Sequence, residues 1–211
     1  MKELIDKVRT LKKLLSENKK IELISFKIYE DPDRKKNLGL FFNNENIAEK
    51  IKIFYHQFDG FYCKWKSLSN NADISGCANF LKSSQIMLDH KGLIYQDDIA
   101  PDARVRNFHP IDFFNDEACV GFYIGEDKND SMYFYDLIHE PKNLQLDIQG
   151  YFELMIYMKA FRYWQYLMIE ILMDDISAIG NIIRQHINEL FPDVDLAVFK
   201  ELYQKYRLDI K

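Results

Sequence analysis

At 211 residues, of which 47% are hydrophobic, 29% charged and 15% aromatic, the chain can bury one large core, and its balance excludes a disordered or fibrous protein. The formal net charge of −5 is unevenly placed: residues 1–20 carry a local +4 and residues 97–153 a local −9. An acidic middle third argues against nucleic acid as a partner; a solvated acidic surface that keeps the protein soluble is the first expectation, and a basic protein surface is the natural complement if it binds.

The opening "MKELIDKVRTLKKLL" has no uninterrupted apolar run and is not read as a secretory signal. Leu4, Val8, Leu11 and Leu15 recur at helical steps, which predicts an amphipathic helix over 2–18 with a basic outer face. In "IELISFKIYE", Ile24, Phe26 and Ile28 alternate onto one side of a strand, closed by the turn-rich "DPDRKKN". "LGLFF" reads as a further short strand. Ile47, Ile51, Phe54 and Phe58 then return to helical steps, with Asn44 as N-cap and Gly60 placed to stop the helix in a left-handed conformation.

"FYCKWKSL" runs on as a strand with Phe61, Cys63 and Trp65 on one face and Tyr62, Lys64 and Lys66 on the other. After the polar loop "SNNADISG", "CANFLKSSQIML" predicts a short strand leading into a short helical element. Residues 89–107, polar and acidic with Pro101, read as a loop or partly ordered connection. "FHPIDFFNDEACVGFYI" and "SMYFYDLI" predict two strands in an antiparallel hairpin, joined by the turn "GEDKND".

"LDIQGYFELMIYMKAFRYWQYLMIEILMDD" predicts one long helix, apolar around most of its circumference and therefore sandwiched. Glu153, Lys159, Arg162 and Glu170 inside that stretch speak against a membrane span. "SAIGNIIRQHINELF", stopped by Pro192, and "DVDLAVFKELYQKYRL" predict two closing helices. The expectation is a single domain over 1–211, with a core of about 21–172 and a C-terminal helical extension of about 173–211.

Cys63, Cys77 and Cys119 are odd in number and lack C-x-x-C spacing, which points to free thiols in a reducing compartment, the cytoplasm. Gly121 and Gly125 flank strand-like sequence and form no phosphate cradle. The pairs His109/Asp112 and His139/Glu140 are spacings that arise by accident, and no metal or cofactor is expected. A Cys/His enzyme built on Cys63 or Cys119 is the third-ranked reading, because both sit in apolar runs where a thiol is a buried packing group. Tyr62, Lys64 and Lys66 could stack a base and neutralise a phosphate, yet a solvated strand face is the better expectation.

Four segments resemble the SUKH superfamily, the relatives of the yeast cell-wall synthesis regulator that are widespread as bacterial immunity proteins. They are "IKIFYHQFDGFYCKW" with its Asp59, Gly60 and Trp65 corner, "GCANFLKSSQIM", "FHPIDFFNDEACVGFYI" followed by "SMYFYDLI", and "DIQGYFELMIYMKAF". Together they span roughly residues 44–172. The resemblance implies an α+β fold whose curved, largely antiparallel sheet is packed by helices, flanked here by the N-terminal amphipathic helix and the C-terminal extension. It implies no catalytic residues, and a role in binding another protein, most often a toxin that the immunity protein neutralises in the cytoplasm. Asp59, Gly60 and Trp65 would then specify the fold.

Many such toxins are nucleases with basic clefts, so the acidic stretch "YQDDIAPD" and the turn "GEDKND" nominate Asp97, Asp98, Asp102, Glu126, Asp127 and Asp130 as the partner-binding surface. A scaffold or regulatory module of the same fold, with no toxin partner, is the second reading.

Overall fold

The computed structural model describes residues 3–29, 41, 43–69, 74–100, 102–125 and 130–208. Of the sequence expectations, "DPDRKKN", all of "LGLFF" but Phe41, Pro101 and most of the turn "GEDKND" fall outside those residues. Helix α1 (Glu3–Glu17) buries Leu4, Val8, Leu11 and Leu15, the predicted stripe.

Strand β1 (Ile21–Ile28) departs from simple alternation, because a bulge between Leu23 and Ser25 resets its register. Leu23, Phe26 and Ile28 pack on the core, and Ile24, expected inward, is exposed. One extra residue in the strand is enough to turn a side chain to the other face. Helix α2 (Glu49–Gln57) begins later than predicted. The Asn44 carboxamide accepts the Asn46 N–H at 3.0 Å, so it closes a turn ahead of the helix instead of capping it.

The corner that follows is fixed by contacts from both its residues. Gly60 has φ +94°, and a Cβ there would lie 2.3 Å from the Phe80 carbonyl oxygen, so only glycine fits. Buried Asp59 accepts from the backbone N–H and hydroxyl of Ser83, at 3.0 and 2.8 Å. That ties the corner to the short helix α3 (Ser83–Ile86).

Strands β2 (Phe61–Ser67), β3 (Ser75–Phe80), β4 (Phe108–Asn115), β5 (Ala118–Tyr123), β6 (Tyr133–Tyr135) and β7 (Lys142–Asn143) join β1 in one open sheet. Its order is the chain order and every neighbouring pair is antiparallel, so the molecule is α+β, as expected. The predicted single strand over 108–124 is in fact a hairpin. It turns at Asp116-Glu117, a tight turn without glycine that left no break in the apolar run.

The long predicted helix is also two, α4 (Ile148–Tyr157) and α5 (Gln165–Met173). Between them Lys159, Ala160 and Tyr163 adopt positive φ, which costs of order 1 kcal/mol or more each for a residue with a side chain. The return is sheet pairing. The Cys77 N–H donates to the Ala160 carbonyl at 2.8 Å and the Arg162 N–H to the Ser75 carbonyl at 2.9 Å. Since β3 pairs with β4 in register at Phe80 and Asp112, the C-terminal end of β3, this segment covers the part of the β3 edge that β4 leaves.

Helices α6 (Ala178–Leu190) and α7 (Leu196–Tyr206) bury Ile183, Ile187, Phe199 and Tyr203 in the same core as α1 and the sheet. The C-terminal elements therefore complete the core rather than extend it. Helix α4 contacts α1, α2 and α7 and is sandwiched as predicted.

Candidate functional site

Strand β5 is buried at all six of its residues, so both faces of the sheet are covered there. On one side Ala118, Val120 and Phe122 join the main core. On the other, Cys119 and Tyr123 form a second cluster with Phe108, Tyr133 and Ile94. Its lid is the 89–107 connection, expected as a loop, which packs Ile94, Tyr95 and Val105 down onto β4–β6. "ACVGFY", apolar at both parities, was the signal that something must lie on each face.

One arginine holds this cover to the sheet and another stitches the cover to itself. The Arg104 guanidinium lies 4.0 Å from the Tyr123 ring centroid, and Arg106 donates to the carbonyls of Ile99 and Ala100. The cover stops short at one place, leaving a groove of about 510 Å³. Phe113, Tyr135 and Leu137 line it from the sheet side, Leu93 and Tyr95 from the cover, and Asp98 and Asp116 are among its polar residues.

Of the six acids nominated from the sequence, Asp97, Asp98 and Asp102 stand exposed on this cover, with Asp97 paired to Lys91 at 2.5 Å. Asp130 is elsewhere, half-buried 3.6 Å from Lys50, which also holds Asp147. Burial pushes the Asp130 carboxyl above its ordinary range, and Lys50 opposes the shift. Glu126 and Asp127 lie outside the described residues. Asp116, which charge patterning did not single out, belongs to the groove because the unforeseen β4–β5 turn carries it there.

The other candidates resolve differently. Burial pushes the thiols of Cys63 and Cys119 far up and that of half-buried Cys77 up to about 12, the carboxylate of Asp112 adding to each. A thiol held protonated is a poor nucleophile. On the native protein a maleimide reagent is expected to label Cys63 and Cys119 at least a hundredfold more slowly than in urea; reaction at the rate of a free thiol would revive the Cys/His reading.

His109 places Nδ1 2.7 Å from the Ile86 carbonyl oxygen, while Asp112 takes the Asn79 N–H and the Tyr151 hydroxyl, so the H-x-x-D pair does not converge. His139 binds Asp136 rather than Glu140. Among the described residues no group of three or more His, Cys, Asp or Glu is arranged to hold a metal, and no helix is long and apolar enough to cross a membrane. Lys66 is paired with Glu22 at 2.8 Å, and Lys64 and half-buried Tyr62 flank a polar cleft of about 230 Å³ between β3 and β4.

Comparison with known proteins returns no family model, no curated protein and no solved structure that matches this chain. The chemistry of the groove follows from its own residues. It offers aromatic and aliphatic surface with carboxylates at hand, a combination suited to a polypeptide carrying both apolar and cationic side chains.

Proposed function

We propose that this chain is a non-catalytic protein-binding domain of immunity type, which captures a cognate toxin in the cytoplasm of the cell that makes both. The supporting observation is the placement of Asp97, Asp98 and Asp102. They stand exposed on a cover that is held to the sheet by the packing of Ile94 and Val105 and by Arg104 on the Tyr123 ring, so the carboxylates are presented on packed backbone rather than on a free tail. Such a surface speeds encounter with a basic partner, and its contribution fades as salt rises. An open antiparallel sheet packed by helices is also what the resemblance to the SUKH superfamily leads one to expect.

Co-expression in a bacterium with the polypeptide encoded just upstream tests the proposal. Rescue from killing, with a complex that survives purification, is the expected result. Reversing the charge of Asp97, Asp98 and Asp102 together should then weaken the complex about tenfold or more and flatten its salt dependence. A lethal neighbour that is neither bound nor neutralised removes the immunity reading and leaves a scaffold of the same fold.

A further inference from the structure

Several cavities among the described residues invite a ligand; the polar one at the start of α2, about 430 Å³, is lined by Lys52 as well as by Glu45, Glu49 and Asp130. The largely apolar one beside α6, about 400 Å³ and lined by Ile74, Phe161, Ile179 and Ile182, holds no carboxylate to say what would cover it. The polar cleft between β3 and β4 has its guanidinium already engaged, since Arg162 donates to the Asn115 carboxamide oxygen at 3.0 Å. The groove on the second face of the sheet is different. It is lined both by apolar side chains and by two acids, Asp98 and Asp116, of which Asp116 also borders the cleft that holds Lys64 and Arg162.

Asp98 comes from the cover and Asp116 from the β4–β5 turn, and neither has an ion-pair partner among the described residues. Two large apolar side chains stand out to water at or beside the groove, Leu93 at 61% exposure and Ile138 at 83%. Ile138 is held there at a cost. Leu137, which lines the groove, has φ +62°, a left-handed conformation that an L side chain adopts with strain. Asp136 stabilises this bend by accepting from the backbone N–H groups of Ile138 and His139 at 3.2 and 2.8 Å, while its other oxygen pairs with the His139 ring at 2.8 Å. Burial opposes ionisation of Asp136, yet the donors from His139 and Ile138 hold its carboxyl below the usual range. The bend is thus pinned by a charged residue while it displays an isoleucine that contributes nothing to the core.

We infer that this groove docks a basic, partly apolar segment of the partner protein, seating an aliphatic side chain on Phe113, Tyr135 and Leu137 and a lysine or arginine against Asp98 and Asp116. The inference rests on the protein-binding reading and gives it a location. Burial of the apolar face would exclude water around the pair of carboxylates and the incoming cation, which strengthens their attraction relative to an open surface. Leu93 and Ile138 would pack around the inserted residue. The complementary charge selects a cationic segment, and an acidic one is repelled.

The test uses the full chain and two short synthetic peptides, one alternating lysine with leucine and the other glutamate with leucine. The lysine peptide is expected to shift, saturably, the backbone amide resonances of residues 93–99, 113–116 and 135–138. Changing both Asp98→Lys and Asp116→Lys should cost that peptide about tenfold or more in affinity, while the thermal midpoint stays within a few degrees because both positions are exposed. The glutamate peptide should shift none of them.

No binding by the lysine peptide, equal binding by the two, or saturable shifts mapped to another face would each overturn the inference. Neither peptide is a toxin, so the result is separable from co-expression. A chain that neutralises its neighbour with an inert groove loses only the inference drawn here. One whose groove takes the basic peptide but which gives no protection keeps the groove and loses the immunity role.

Discussion

Asp112→Asn is expected to make the protein more stable than its parent by up to about 4 kcal/mol near pH 8, with the two forms converging as the pH falls towards 4. Asp112 is fully buried on β4, at the point where that strand meets β3. It accepts the Asn79 N–H and the Tyr151 hydroxyl, each at 2.7 Å. Burial nevertheless pushes its carboxyl up to about 7, with the bonds from Asn79 and Tyr151 opposing the shift only in part.

The sign follows from where each state releases its proton. The unfolded chain loses it near 3.9, whereas the folded protein retains it to about 7, so stability declines between those values and levels off above them. Roughly three pH units at about 1.4 kcal/mol each give the size of the effect. Asparagine removes the ionisation and keeps the contacts. Its carbonyl can accept from Asn79 and its amide can donate to the Tyr151 oxygen, freeing Tyr151 to donate to the Gln165 Oε1, a buried acceptor that has no partner. That rearrangement turns over the Gln165 amide, whose Nε2 lies 2.8 Å from the Tyr151 hydroxyl, and moves Nε2 to the buried position that Oε1 holds now. The neighbouring histidines His90 and His109, held below their ordinary value chiefly by burial, titrate in both proteins and cancel in the difference. Urea unfolding of parent and variant near pH 4, 6 and 8 measures it. A gap that does not change with pH, or a variant weaker at pH 8, would contradict the assignment.

The second large effect concerns Trp65 and Gly76, which face each other across β2 and β3. Trp65 is fully buried, donates its indole N–H to the Lys159 carbonyl at 2.8 Å, and meets Phe161 and Phe191 edge-on. Trp65→Ala is expected to cost about 3–5 kcal/mol. A Cβ on Gly76 would stand 2.1 Å from the indole ring, so Gly76→Ala, a single methyl, should cost about 1–3 kcal/mol. In the Trp65→Ala background the methyl enters vacated space and the same change should be nearly neutral. Non-additivity above about 1 kcal/mol in a double-mutant cycle is the expected readout, and additive costs would mean that the ring does not dictate the glycine.

The helices at either end were legible because one face of each is apolar and the other charged, as with Leu4, Val8, Leu11 and Leu15 in α1. Features set by contacts between distant residues were not. The break after α4 exists because β3 needs a partner, and nothing local to "MIYMKAFRYWQ" announces that; Lys159, Ala160 and Tyr163 are ordinary residues held in a left-handed conformation by what they touch. Ile24 was misplaced for a similar reason, since a bulge belongs to a strand pair and not to one strand. Of the acids at the groove, Asp98 was visible as part of a charged run. Asp116 lies inside a stretch whose apolar pattern reads as continuous strand, so a site assembled from two loops is legible only by half.

The segment over 160–162 also bears on how the chain reaches its final state. A meander whose strands pair in chain order can assemble as it is synthesised, each strand adding to the one before it, and β3 is the exception. One stretch of its backbone waits for Ala160 and Arg162, which leave the ribosome long after β5 has formed its hairpin with β4. A nascent chain halted before that point would present open amides and carbonyls beside an uncovered Trp65, the kind of edge on which chains cross-pair. The stretch that interrupts the helix thus closes the sheet with residues that come late in the sequence.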